Sequence, residues 1–327
     1  RNIKNSKIYR RQMELNETPD YTVINKVFFI GSKKLGYSIL KKLHSIDENS
    51  ICKIITIDDT KDNRSSYHKF QNFATKNKIS IDVLGNPSEL STIIDEEKPE
   101  LIIVSGWYWI IPTEVLNKVP NGLIGLHASL LPQYRGFAPL VWAVINGEKK
   151  TGISLFYLSD GVDTGDIIDQ RELTIGNNHT IATLLSKVEE MSLDMMDSNY
   201  KKILNKTNNR ITQSKNNVSY CSIRRPEDGL IDWGGDNITI HNFIRSQSDP
   251  YPGAFTHIGD KKYYILESII INETHYGPKG LISKADNDSI IVCCGKNALK
   301  IVNIRGEGSK ENVINKMRFG TKFENIK

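Results

Sequence analysis

The side chains best suited to chemistry in this chain are His127 and Asp163. His127 follows the apolar run Gly122-Leu-Ile-Gly-Leu126, and Asp163 lies in the loop Asp160-Gly-Val-Asp163-Thr-Gly165-Asp, beyond a second apolar run at 151–158. A protonated imidazole donates to a developing oxyanion, and a carboxylate beside it keeps it charged, orients it or takes up a proton. Alone, a His followed far downstream by an Asp is weak evidence, because most such His residues are structural. Between them stand Ser129, Pro132, a Tyr134-Arg135-Gly136 turn and Phe137. Tyr134 and Phe137 offer apolar or stacking surface, and Arg135 suits a phosphate or an acidic neighbour. For Ser129, Arg135 and Thr164 a structural duty is the first explanation.

The elements that must position these residues follow from periodicity. Helical spacing of apolar residues runs from Phe137 to Ile145 and ends at Gly147, so His127 and Asp163 fall at the ends of two strands joined by a helix. If those strands are parallel and the crossover right-handed, both residues reach the sheet edge where α/β folds bind ligands. Upstream, apolar runs at 26–31, 50–57, 79–84 and 99–105 alternate with helical patterns at 36–44, 68–76 and 89–96, the last capped by Asn86-Pro-Ser88. This alternation specifies a doubly wound, mainly parallel, Rossmann-like α/β sheet. Gly31-Ser-Lys-Lys-Leu-Gly36 lacks the GxGxxG spacing, so a dinucleotide is not its ligand. After the fourth strand, Trp107, Tyr108 and Trp109 come in succession; they cannot all face a core, so at least one lines a pocket. A long amphipathic helix spans 180–200, with Thr180 as N-cap and a Met-rich stripe facing the core.

The composition changes at 201–217, which is rich in Lys, Asn, Thr, Gln and Ser, and this sets a domain boundary. Short strands at 262–266, 269–271, 289–294 and 299–304 then suggest a small, open, OB-like β-barrel. The expected organisation is a basic tail over 1–25, an α/β domain over 26–205, a linker over 206–217, a β-rich domain over 218–306 and a charged, fraying tail over 307–327.

A length of 327 residues and a hydrophobic content of 39% allow two such domains. The formal charge of +5, from 43 basic and 38 acidic residues, does not demand nucleic-acid binding. No apolar run is long enough to span a membrane, and residues 1–7 hold no apolar segment of the secretory kind, so a cytoplasmic location is expected. Cys52, Cys221, Cys293 and Cys294 form no CxxC and have no paired His, so neither a metal site nor a disulfide framework is expected.

Taken together, HASLLPxYRG from His127, PLxWAxxxGE from Pro139, TGxSLF from Thr151 and GVDTGDII from Gly161 closely resemble the N10-formyltetrahydrofolate-dependent formyltransferases, which act on methionyl-tRNA, glycinamide ribonucleotide or nucleotide sugars. The stretches 220–233, 238–245 and 249–255 resemble the start of the second domain of the methionyl-tRNA and sugar enzymes. The resemblance implies N10-formyltetrahydrofolate as formyl donor, with no metal. It places the pterin ring against Trp107, Tyr108, Trp109, Ile110 and Ile111, with Asp160 and Asp163 also on the donor side. It further implies His127 as oxyanion donor, Asp163 as its charge partner, Ser129 as an assistant, and Tyr134, Arg135 and Phe137 on the acceptor side.

One position departs from the family, whose Asn two residues before the His is Gly125 here. Losing an oxyanion donor costs about two to three orders of magnitude in rate. A backbone N–H at a Gly125 turn, or the Ser129 hydroxyl, is the expected substitute; a non-catalytic folate- or sugar-binding relative is the rival. The intact surroundings of His127 and Asp163 favour an enzyme. The tRNA-acting relatives carry a long basic insertion after the second strand, whereas Asp58-Asp-Thr-Lys-Asp-Asn-Arg64 is short and has no net positive charge. The expected acceptor is therefore the primary amine of a nucleotide-linked amino-deoxysugar, such as a dTDP-4-amino-4,6-dideoxyhexose or its 3-amino isomer, made for a surface polysaccharide or glycan. Methionyl-tRNA is the alternative. Neither a nucleic acid nor a membrane is the expected partner, and a homodimer is compatible with the sequence.

Overall fold

The computed structural model describes residues 23–324. Five strands are parallel: β1 (Val27–Gly31), β2 (Ile51–Ile57), β3 (Ser80–Leu84), β4 (Leu101–Ser105) and β5 (Leu123–His127). Helices α1 (Lys33–Ile46), α2 (Tyr67–Asn77), α3 (Glu89–Glu97) and α4 (Thr113–Lys118) connect them. Every residue of β1 and β4 is buried, as an apolar run covered on both faces must be. Successive side chains enter opposite layers, Val27 and Phe29 packing on one side and Phe28 and Ile30 on the other.

After β5 come β6 (Arg135–Gly136), α5 (Pro139–Ile145), β7 (Lys150–Tyr157), β8 (Ile167–Thr174) and α6 (Ile181–Leu204). The sheet order is β3-β2-β1-β4-β5-β7-β8. The order reverses between β1 and β4, which makes the crevice at their C-terminal ends the point where open α/β sheets bind ligands. The parallel crossover expected between His127 and Asp163 is absent. Strand β7 pairs antiparallel with β5, His127 opposite Ser154 and Ile124 opposite Tyr157, and β8 is antiparallel again. An apolar run carries no direction, so periodicity could not distinguish the two arrangements.

Helix α6 begins at Thr180, whose hydroxyl accepts the Thr183 N–H, and buries Met195 and Met196 completely. It runs to Leu204, four residues beyond the expected end, and the Leu204 carbonyl accepts the N–H of the buried Ile24. The basic tail expected over 1–25 lies outside the described residues except for its last three.

The remaining elements are β9 (Tyr220–Cys221), α7 (Asn237–Arg245), β10 (Ala254–Ile258), β11 (Lys261–Ile270), β12 (Ile282–Ala285), β13 (Ile290–Cys293) and β14 (Ala298–Gly306). The last five form an antiparallel sheet, β10-β11-β14-β13-β12, so the two strands expected at 262–266 and 269–271 are one, irregular in register around Glu267. Its edges are joined by the segment expected to fray. Ile282 N–H bonds the Thr321 carbonyl, Phe323 N–H bonds Gly280, and Glu324 exchanges two backbone hydrogen bonds with His257 of β10. Ile314, Met317 and Phe323 enter the barrel core, Phe323 stacking on Trp233 at 5.4 Å. Three widely spaced apolar residues are invisible in an average dominated by charge, yet they close the barrel. Replacing Phe323 with Ala therefore removes both a buried ring and the closing contact, and is expected to cost about 3–5 kcal/mol, measured as a lowered urea midpoint of the full chain.

Candidate active site

The loop after β7 turns back over β5 and brings Asp163 to His127. The Asp163 carboxylate accepts the Gly136 N–H at 2.7 Å through Oδ2, and the same oxygen lies 3.5 Å from His127 Nδ1. On the other side of the ring, Nε2 is 2.7 Å from the Tyr134 carbonyl. Both nitrogens thus face oxygen atoms. The ring is buried, and its face packs edge-on against Phe156 at 6.3 Å.

The backbone here is bent hard. Asp163, Tyr134 and Ala138 all have left-handed φ, at 51°, 57° and 49°, a conformation costing about 1–2 kcal/mol for an L-residue. A Cβ on Gly165 would lie 1.8 Å from the Tyr157 carbonyl oxygen, so only glycine lets the chain pass there. The Ser159 and Thr164 hydroxyls, 2.7 Å apart, hold the loop ends together. Asp160, in the same loop, is exposed.

A second device comes from the stretch expected to be a linker. Gln213 is buried, and its amide nitrogen donates to the carbonyls of Asp163 at 2.8 Å and Gly165 at 2.7 Å. Its oxygen accepts from Arg135 Nε at 3.2 Å and Nη2 at 2.6 Å. Residues 206–217 are therefore a strap across the site. Arg135 is buried against Gln213 and Tyr220, not presented to an acceptor and not paired with an acid. Tyr134 spends its hydroxyl on Glu148 at 2.7 Å; burial, and then that hydrogen bond, push its phenol up to about 12. Of the three residues expected on the acceptor side, Phe137 is the exposed one. Sequence reasoning missed Gln213 because one Gln in a polar run carries no periodic signal.

Neither expected substitute for the missing amide is available. Gly125 is not at a turn; it lies inside β5, paired with Val104 on one side and Phe156 on the other. The Ser129 hydroxyl is buried and donates to the Gln133 carbonyl at 2.7 Å, closing the turn after His127. Instead, the space beside Gly125 that a side chain would take is occupied by Leu158: a Cβ on Gly125 would lie 2.8 Å from its Cδ1.

At the β1/β4 crevice, Trp107 and Trp109 meet edge-to-face at 5.3 Å and pack on the buried layer below, while Tyr108 and Ile110 point outward, 42% and 80% exposed; Ile111 is buried. Tyr108 is braced by a hydrogen bond to Asp59 and by Lys33 4.5 Å from its ring centre. Lys33 in turn pairs with Asp59 and Asp62, and Asp62 binds Arg64. Among the described residues no group of His, Cys, Asp or Glu is placed to hold a metal, and no helix is long and apolar enough to cross a membrane.

The strap gives the first test of this geometry. Gln213→Ala leaves the Asp163 and Gly165 carbonyls and the Arg135 guanidinium short of partners, expected to cost about 1–3 kcal/mol of stability. The loosened Asp163 loop is expected to lower turnover at least tenfold, seen by steady-state kinetics alongside thermal unfolding. Gly125→Asn alone is expected to destabilise by crowding Leu158, by about 1–3 kcal/mol, and Leu158→Ala in the same chain to relieve part of that loss.

Residues 25–198 match the formyl transferase family and residues 224–318 its C-terminal domain. The methionyl-tRNA formyltransferase of Acetivibrio thermocellus is 30% identical over 304 residues, 91% of this chain and 97% of that one. The bifunctional polymyxin resistance protein ArnA of Wigglesworthia glossinidia brevipalpis is 34% identical over 284 residues, 86% of this chain but 41% of that protein. In fold, the chain resembles the N-formyltransferase of Helicobacter canadensis, solved with folinic acid and dTDP-3-aminofucose, with a TM-score of 0.63 at 20% identity over 86% of this chain and 99% of that one. Because the family match runs through both the α/β and the β-rich part, the chain belongs to the formyltransferase family of enzymes.

Proposed function

We propose that this formyltransferase takes its formyl group from N10-formyltetrahydrofolate and delivers it to the primary amine of a nucleotide-linked amino-deoxysugar. The observation that carries the reading is the His127–Asp163 pair, 3.5 Å apart and braced by the Gly136 N–H. The β1/β4 crevice suits a flat, largely apolar ring, because Tyr108 and Ile110 expose apolar surface at its mouth. Trp107, Trp109 and Ile111 form the floor behind them. When bound, the folate supplies an activated formyl carbon. His127 donates to the charge that develops on the formyl oxygen. Asp163 orients the imidazole, takes the proton that the attacking amine loses, and returns it to the leaving nitrogen.

The sugar acceptor is supported by the loop after β2. It carries Asp58, Asp59 and Asp62 against Lys61 and Arg64, Asp62 pairing with Arg64 and, together with Asp59, with Lys33 of α1, so this edge offers little net attraction to a polynucleotide, whose binding rests on clustered free cations. The Helicobacter canadensis protein, similar in fold, was solved with a dTDP-amino sugar. A 4-amino-4,6-dideoxyhexose or its 3-amino isomer on dTDP, for surface glycan synthesis, fits this reading. A second reading, methionyl-tRNA as acceptor, is favoured by the near full-length similarity to the Acetivibrio enzyme. It is also favoured by a barrel face where Lys262 lies 5.0 Å from the ring centre of the half-buried Tyr264, a cation and a ring of the kind that contact nucleic acid.

A side-by-side assay of dTDP-, UDP- and GDP-linked amino sugars and charged initiator tRNA with N10-formyltetrahydrofolate separates the two. Sugar formylation is expected; salt-sensitive tRNA product with no sugar product would overturn the acceptor assignment. His127→Asn is expected to abolish turnover while folate affinity, followed by calorimetry, and folding remain close to wild type.

A further inference from the structure

A cavity of about 470 Å³ lies where the loop after β8, the helix α7 and the second half of β11 meet. It shares no lining residue with the His127–Asp163 pair, and β8 is the outermost strand of its sheet, two places from β5. The volume falls within the roughly 300–1,000 Å³ of pockets that hold a whole small molecule. Strand β10 pairs only with Lys261 to Ile265, and the half of β11 beyond that pairing borders the cavity.

Part of the lining is apolar: Ile244, Leu266, Ile269 and Ile270. Ile269 and Ile270 are 45% and 38% exposed, which leaves apolar surface for a ligand to cover. The rest is polar and carries one charge of each sign. Arg245 is only 7% exposed and donates to neutral acceptors, through Nε to Asn242 Oδ1 at 2.9 Å and through Nη1 to the carbonyls of Gly176 at 3.0 Å and His179 at 2.7 Å. Its Nη2 takes none of them. Burial pushes the Arg245 pKa below its ordinary value, as expected of a cation with no acid beside it. The acid of the lining is Glu267, which is exposed and forms no ion pair among the described residues.

His241 adds no second cation. Its Nδ1 is 2.9 Å from Ser268 Oγ and its Nε2 3.5 Å from the Asn177 carbonyl, and burial, reinforced by Arg245, holds its pKa below the ordinary value. His179 Nδ1 accepts the Gly176 N–H at 3.1 Å, so the neutral ring carries its proton on Nε2 and offers a further donor. The cavity therefore holds two opposite charges that are not paired with each other, beside an apolar surface. A simple anion would meet Glu267 and a simple cation would meet Arg245; a ligand bearing both signs satisfies each.

We propose that this cavity binds a free α-amino acid with an aliphatic side chain, its carboxylate taken by Arg245 Nη2 and His179 Nε2, its ammonium by Glu267, and its side chain by Ile269 and Ile270. The site is separate from formyl transfer and does not rest on the acceptor proposed above. Its occupant bridges the α/β part, through His179, and the β-rich part, through Arg245 and Glu267, and so raises the thermal unfolding temperature of the chain as it binds.

The test is calorimetric titration of the full chain with leucine, with isocaproate, which lacks the amine, and with isoamylamine, which lacks the carboxylate. Leucine is expected to bind in the millimolar range or tighter, and each truncated compound about tenfold or more weakly, the loss of one charge-assisted contact. Glu267→Gln is expected to weaken leucine by about the same factor and to leave isocaproate no weaker. Arg245 is left intact because its bonds to Gly176 and His179 hold the two parts together, whereas Glu267 is exposed and tolerates exchange. Absent binding of millimolar leucine to the wild type, equal affinity for the three compounds, or equal leucine affinity in wild type and Glu267→Gln overturns the site. Displacement of leucine by N10-formyltetrahydrofolate or by dTDP also overturns it, because the ligand then occupies the transfer site.

Discussion

The constraint on which the rest of this structure depends is the return of the Asp163 loop over β5. Strand β7 runs away from the ligand edge, so its C-terminal end lies at the wrong end of the sheet to serve His127. The loop must reverse within a few residues, and that reversal determines its composition. Gly165 passes the Tyr157 carbonyl where no Cβ fits, Asp163 accepts a left-handed φ, and Ser159 and Thr164 close the base. What holds the carboxylate in place is then a set of hydrogen bonds from elsewhere: the Gly136 N–H on its oxygen and the Gln213 amide on the loop carbonyls.

Gln213 couples this loop to the rest of the molecule. Its two ends join the carbonyls of the Asp163 loop to the Arg135 guanidinium, and Arg135 belongs to a short strand, β6, paired in parallel with β9 at the entrance to the C-terminal part. The buried Arg135 is stabilised by this neutral amide and by the Tyr220 hydroxyl, with no carboxylate beside it. The strap and the turn after His127 are thus one hydrogen-bonded unit, in which removal of a single partner strands several buried polar groups. This explains why so polar a stretch as 206–217 crosses the protein in an ordered path.

Gly125 shows how local packing accommodates a departure from the family pattern. The strand keeps its pairing on both sides, and the space a side chain would take is filled by Leu158 from the loop's own beginning. An apolar group therefore stands where the family pattern has a polar amide.

The sequence by itself determined the alternation of strands and helices, the apolar strands β1 and β4, the Met-bearing face of α6 with its Thr180 cap, and the family to which His127 and Asp163 belong. Each of these is written in local periodicity or in a dense run of motifs. Strand direction, the barrel closure at Phe323, the strap at Gln213 and the filling of the Gly125 space were decided only by tertiary structure. The physical reason is common to all four. Hydrophobic period records which face is buried, but a hydrogen bond between residues fifty positions apart, or a single ring inserted from a charged segment, leaves no periodic trace.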